Sequence, residues 1–253
     1  MLRLVHFKGI HEGKSFVVMG KGPSLWTEYS FCPLNKDIRD ILRDEDIVKI
    51  GVNDIESKLC SCGYHRYQKG PISDWADRIF PVIGRGLNYL IITNLLYLSN
   101  VQYILNSTAF HTFVLATSNI MGSSPVASFM SLFEKVFRTN DKDKAVLYSP
   151  RNCGGTERVS GLEIDYSLTT AYPAVLLAEH MGAKKIGLLG IDLTWDGVAK
   201  DTIRMINDHF LGLKKALGAR GVSLYDLNTS CESNLEGIEK KTILSFLSQE
   251  AKG

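Results

Sequence analysis

The chain lacks an excess of charge of either sign. Its 29 Lys and Arg residues face 27 Asp and Glu, a formal net charge of +2 over 253 residues. That balance leaves no electrostatic footprint for nucleic acid, and no RNP-like, zinc-finger or basic-helix pattern supplies one otherwise. Nucleic acid is therefore not expected as a partner. Cysteine is also sparse. Cys32, Cys60, Cys62, Cys153 and Cys231 form an odd, scattered set, unlike a disulfide framework, and reduced thiols are expected. Cys60, Cys62 and His65 stand close together, but no second closely spaced ligand pair completes a metal pattern, and no metal site is expected. Long hydrophobic runs are missing as well. The longest apolar stretch, 87–105, is broken by Asn88, Thr93, Asn94, Ser99, Asn100 and Gln102, so it reads as core and no membrane span is expected. The opening MLRLVHFKGIHEGK has neither the apolar centre nor the cleavage site of a secretory signal, which leads to an expected cytoplasmic location.

What is present is ordinary for a globular protein: 45% hydrophobic and 22% charged residues. The length suits a single domain over 1–253 that can bury a full core. Residues 60–120, the least patterned part, are read as a lid or insertion. Nothing in the pattern specifies an oligomeric state.

The most informative stretch is FVVMGKGPSL at 16–25. An apolar run of strand length is followed at once by Gly20 and Gly22, which open backbone angles closed to other residues. Pro23 then has its φ set for the first position of a helix. Strand, tight turn and helix start fall within ten residues, the geometry in which a helix N-terminus faces a phosphate.

Strands and helices alternate beyond it. A helix is predicted over 36–43 and strands over 47–52, 79–83 and 112–116. A helix at 124–137, a strand at 145–148 and a polar loop at 150–161 follow. Thr169 or Thr170 can cap a helix running to Met181, with Gly182 as its terminator. KKIGLLG at 184–190 is a buried strand opening onto IDLTWDG. Ile203, Ile206, Phe210, Leu213 and Leu217 keep helical spacing, VSLYDL at 222–227 is a further strand, and a C-terminal helix is predicted from about Leu235. This alternation implies an α/β fold, a mostly parallel sheet covered on both faces. Ligands in such sheets lie beyond the carboxyl ends of the strands, at a switch in strand order, so the loops 20–24, 53–54 and 190–195 matter most.

Two phosphate motifs fail on position. A dinucleotide fingerprint needs a third glycine where Leu25 stands. Gly13, Lys14 and Ser15 match the end of a Walker loop, but Lys8 occupies its first glycine and the triplet precedes a strand. Asp44 and Asp46 have the D-x-D spacing that holds a metal on a sugar nucleotide, yet they precede the strand at 47–52 and lie at the amino end of the sheet. They read as a solvated helix end. The turn itself offers exposed N–H groups, a helix dipole, the Ser24 hydroxyl and the Lys21 cation; phosphate binding uses all four, and a plain strand-to-helix turn uses none.

GKGPSL after the first strand, with AVLLAEHMGAKKIGLLGIDL near the other end, resembles the bacterial sialyltransferases that use CMP-sialic acid. It also resembles the group around the 6-hydroxymethylpterin diphosphokinase-like family, which opens with G-x-G-P-S-L. Both resemblances imply a Rossmann-like three-layer sandwich. The first implies a glycosyltransferase-like enzyme that binds a nucleotide or nucleotide sugar through Gly20, Lys21, Gly22, Ser24, Asn53, Thr169 and Thr170. Asp192 would then lie at the sugar end, with His209 as the base that takes a proton from an acceptor hydroxyl. The residues also admit structural roles: a strand-end turn for Asn53, helix capping for the threonines, a helix flank for His209. Lys21 replaces the sialyltransferases' asparagine and suits a more highly charged phosphate, such as a nucleoside diphosphate. Gly187 and Thr194 stand where those enzymes have tyrosines, and Ser167 where they have an arginine, which puts sialyl transfer itself in question. The second resemblance implies magnesium- and ATP-dependent pyrophosphate transfer, with Asp54, Asp192 and Asp196 as candidate carboxylates. A non-catalytic nucleotide-binding module is the third reading.

Overall fold

The computed structural model describes residues 7–20, 22, 41, 44–52, 88–92, 111–117, 144–149, 159–160, 163–164, 168–194, 198–228 and 233–248. Their strands are β1 (Ser15–Met19), β2 (Ile47–Val52), β3 (Tyr89–Ile92), β4 (His111–Thr117), β5 (Lys144–Ser149), β6 (Val159–Ser160), β7 (Glu163–Ile164), β8 (Lys185–Leu189), β9 (Ser223–Asp226) and β10 (Glu239–Lys240). Helices α1 (Ala171–His180), α2 (Lys200–Ala219) and α3 (Ile243–Ser248) complete the set. The strands form one sheet in the order β10-β9-β8-β1-β2-β3-β4-β5-β7-β6. Every pairing is parallel except β6 with β7.

β1 is apolar on both faces because both are covered, as expected of a central parallel strand. Phe16 and Val18 join Val48, Ile50, Ile186, Leu188 and Leu224 in one core with α1 and α2. Side chains alternate along a strand, so Val17, Met19 and Gly187 face the opposite layer, where Leu227 and Phe246 of α3 close over Gly187. That arrangement makes the three layers of a Rossmann-like sandwich.

The local signals explain the elements. In α1 every residue from Ala171 to Ala178 is buried, so the helix reads as apolar all round. It stops at Gly182, φ +99°, where the Gly182 N–H donates to the Glu179 carbonyl and the Ala183 N–H to the Ala178 carbonyl. α2 is amphipathic, burying Ile206, Phe210, Leu213 and Leu217 on one stripe. Asp44 and Asp46 lie ahead of β2 as expected: the Asp46 N–H donates to Asp44 Oδ1, and the buried Lys49 ammonium donates to the Asp44 carbonyl. Of the helix predicted over 36–43 only Ile41 is described, helical and buried. The strand predicted at 79–83 and the helix at 124–137 lie outside the described residues.

One expectation is corrected. No helix starts at Leu235; residues 233–238 run as a strap into β10. The Asn234 N–H donates to the Asp192 carbonyl and the Glu236 N–H to Asn207 Oδ1, while Gly237 sits at φ +71°. Amides bonded sideways in this way cannot close helical turns, and the C-terminal helix begins only at Ile243.

The sheet order contains its own switch. From β1 the chain steps through β2 to β5 on one side, then returns to β8 on the other side of β1 and continues outward to β9 and β10. The ligand crevice of such a sheet opens between β1 and β8, beyond their carboxyl ends.

Candidate functional site

Register brings the site together. Met19 pairs with both Gly51 and Leu189, so β1, β2 and β8 end level, and Gly20 and Gly190 leave the sheet side by side. The Gly20 N–H donates to the Leu189 carbonyl and the Gly22 N–H to the Gly190 carbonyl, each at 2.8 Å, so these two amides, expected to be exposed to a ligand, are bonded within the protein. This backbone-on-backbone contact excludes side chains. A Cβ on Gly20 would stand 2.5 Å from the Gly190 oxygen, and one on Gly190, at φ +68°, would stand 2.3 Å from the Gly20 oxygen. Gly22 is excluded by two groups: its Cβ would stand 2.4 Å from Asp192 Oδ2 and 2.8 Å from the Gly190 oxygen. The Asp192 carboxylate is thus seated on the turn that follows β1.

Asp192 is 1% exposed. Its Oδ1 accepts from Asn228 Nδ2 at 2.9 Å, and the Asn228 N–H donates to Asp226 Oδ1 at 2.9 Å. Asp226, level with Leu188 of β8, is equally buried, and among the described residues its Oδ2 has no hydrogen-bond partner. Burial pushes the Asp226 carboxyl up to about 6; the neighbouring Asp192 adds to this, while the Asn228 N–H and Lys240 oppose it. The loop after β8 is held from the other side by Asn234, whose Nδ2 donates to the Leu193 carbonyl at 2.9 Å. Asn207 of α2 donates in turn to the Asn234 carbonyl at 2.7 Å. Leu193 is kept at φ +53°, an angle rare for a branched side chain.

Thr169 and Thr170 lie at this same end of the sheet. α1 ends at the amino end of β8, and its ten residues span about 15 Å back towards the carboxyl end. Both threonines are buried. Thr169 Oγ1 accepts from the Ala171 N–H at a long 3.4 Å, and the Thr170 side chain makes no capping bond. Leu168 just before them holds φ +50°. The N-terminus of α2, which follows the β8 loop, points to this end as well. Two helix N-termini therefore bias the crevice towards an anion.

His209 lies in the middle of α2, its ring edge-on to Tyr172 in the first turn of α1 at 6.4 Å between centroids. The structure thus joins Gly20, Gly22 and Asp192 directly, sets Thr169 and Thr170 at the same edge, and places His209 between the two helices. Lys21, Ser24, Asn53, Asp54 and Asp196 lie outside the described residues. Gly187, where the resembled enzymes carry a tyrosine, has no room for one: a Cβ would stand 2.5 Å from Leu227 Cδ1.

No family model matches the chain, and no curated protein matches it. Among solved structures it is similar to the sialyltransferase CstII from Campylobacter jejuni in complex with the substrate analogue CMP-3FNeuAc. The identity is 15%, over 92% of this chain and 87% of that one, with a TM-score of 0.44. The same enzyme with cytidine-5′-monophosphate gives 14% over 91% and 87%, TM-score 0.42. A mutant of the α-2,3/8-sialyltransferase CstII gives 14% over 92% and 88%, TM-score 0.47. These are distant likenesses.

Sequence reasoning missed Asp226, Asn228, Asn234 and Asn207. The signal for the first two was present: LYDLN ends a parallel strand on polar residues, where sites of this fold class lie. Asn207 interrupts the apolar stripe of α2, but its partners come from a segment 27 residues away, which no local pattern reveals. Magnesium belongs to the diphosphokinase reading. Among the described residues no group of three or more His, Cys, Asp or Glu side chains could hold a metal ion. Of the carboxylates that reading names, Asp192 is the one described, and its Oδ1 accepts from Asn228 Nδ2. Among the described residues no helix is long and apolar enough to cross a membrane.

Proposed function

We propose that the chain is a glycosyltransferase-like enzyme that binds a nucleotide or nucleotide sugar in the crevice between β1 and β8 and transfers the sugar to a hydroxyl acceptor. The observation that carries this reading is the glycine-on-glycine contact at the switch point. It sets the backbone turn after β1, without side chains at Gly20 and Gly22, at the carboxyl edge of the sheet where ligands of this fold class lie. The resemblance of GKGPSL and GLLGIDL to enzymes that use CMP-sialic acid supplies the substrate class.

In this reading Gly20, Lys21, Gly22 and Ser24 face the phosphates, and Asn53, Thr169 and Thr170 complete the nucleotide pocket. Asp192, being buried, serves the sugar end by fixing the turn. The acceptor oxygen attacks the anomeric carbon as the bond from that carbon to the nucleotide phosphate oxygen breaks. The hydroxyl proton passes to the His209 imidazole, and the nucleotide leaves with the bonding electron pair. Lys21 offsets the charge that develops on the leaving phosphate.

Isothermal calorimetry against CMP, CDP, UDP, ADP and ATP, each with magnesium and with EDTA, tests the reading. A pyrimidine nucleotide should bind without metal, and Lys21→Ala should weaken that binding about tenfold or more, as expected for loss of a charged hydrogen bond. ATP binding that requires magnesium would replace this reading with the diphosphokinase. Binding of no nucleotide at all would overturn both.

A further inference from the structure

We propose that Asn228 is a positioning residue for the turn after β1, acting on it through the Asp192 carboxylate. The inference deepens the nucleotide reading of that turn, and its relevance to ligand binding rests on that reading.

Three observations carry it. Asn228 is 1% exposed and donates to two carboxylates: its backbone N–H to Asp226 Oδ1 and its side-chain amide to Asp192 Oδ1, each at 2.9 Å. The first bond fixes the direction of the second, as in an Asx-type turn. The other oxygen of Asp192 lies where a side chain on Gly22 would be. Rotating the carboxylate would therefore press on Gly22 or open a gap beneath it. Strand pairing explains none of this, because the bridge lies at and beyond the ends of β8 and β9, and the ladder is complete without it. Burying Asp192, Asp226 and Asn228 together opposes folding, since buried polar groups cost free energy even when most are paired. What the bridge produces is the fixed seat of Gly22. Its amide then bonds to the Gly190 carbonyl, and the backbone of the turn is held in one conformation before a ligand arrives.

The experiment is amide hydrogen exchange by NMR on the full chain without ligand, reading Gly22 and, as a reference in α2, Leu213. Asn228→Ala should accelerate exchange at Gly22 about ten- to hundredfold, the range expected for a lost hydrogen bond to a charged group, and leave Leu213 near the parent rate. The reciprocal double variant, Asp192→Asn with Asn228→Asp, keeps one amide and one carboxylate across the same gap and should restore Gly22 to within about threefold of the parent. Unchanged exchange at Gly22 in Asn228→Ala, or equal acceleration at Gly22 and Leu213, overturns the proposal. So does a folded double variant that restores nothing; if that variant does not fold, the comparison of Gly22 with Leu213 in Asn228→Ala decides alone. Titration of the same proteins with CMP and ATP separates the two claims. A parent that binds neither these nor CDP, UDP or ADP overturns the nucleotide reading, while the exchange rates still decide whether Asn228 positions the turn.

Discussion

Gly190 shows how narrowly one residue can be specified. It needs a positive φ, and its missing side chain is where the Gly20 carbonyl sits. Gly190→Ala should cost about 3 kcal/mol or more, because a strained backbone and a clash with backbone combine; the shift in urea midpoint measures it. Asp226 carries the opposite kind of strain, electrostatic in origin. Its carboxyl ordinarily titrates at 3.8 and is raised to about 6 by burial. A raised acid binds more protons folded than unfolded, so its contribution to stability is full below about pH 4 and is lost as the pH rises through about 6. The shift corresponds to about 3 kcal/mol. Asp226→Asn keeps the acceptor for the Asn228 N–H but cannot ionise. Its stability relative to the parent should rise between about pH 4 and about pH 7, as read by urea unfolding at both. A constant difference across that window would show that Asp226 does not titrate there.

Among the elements, α2 was legible, since its apolar stripe at helical spacing names its buried face. The sequence stops it at Gly218 and Gly221. In the fold it runs through Gly218 to Ala219, and the positive φ falls on Gly221. Gly212, also inside α2, is exposed, with open space where its Cβ would be. Gly212→Ala should therefore stabilise the protein by about 0.5–1 kcal/mol, seen as a higher thermal midpoint, through the backbone entropy that glycine loses in a helix. The strap at 233–238 was illegible for the converse reason. Its amides bond to Asp192 and Asn207, and such bonds override local propensity without leaving a periodic trace. The candidate site divides in the same way. The glycines and Asp192 were visible as punctuation after strands, but the asparagines that hold Asp192 were not, because asparagine in a loop reads only as a turn residue.

At the scale of the whole molecule, the two faces of β8 are covered by different means. α1 and α2 supply one layer; on the other, α3 brings Phe246 against Gly187 and edge-on to Tyr225, with the buried Lys185 donating to the Phe246 carbonyl. Phe246 is 0% exposed and Leu244, two residues away on the same short helix, is 65% exposed. Phe246→Ala should cost about 3–5 kcal/mol and Leu244→Ala less than about 0.5 kcal/mol, in chemical denaturation. Near-equal losses would mean that α3 does not close that face.

The sequence by itself determined which segments become strands and helices along β1, β2, α1, β8, α2 and β9, because burial on two faces or on one stripe writes a period into the chain. It also determined where glycine would free the backbone. Only the tertiary structure decided that β8 returns beside β1, that Gly20, Gly22 and Gly190 share one contact, and that Asp192 is held by Asn228 and Asn234. Those outcomes depend on strand order and register, set by the packing of residues distant in the chain, and no local period records them.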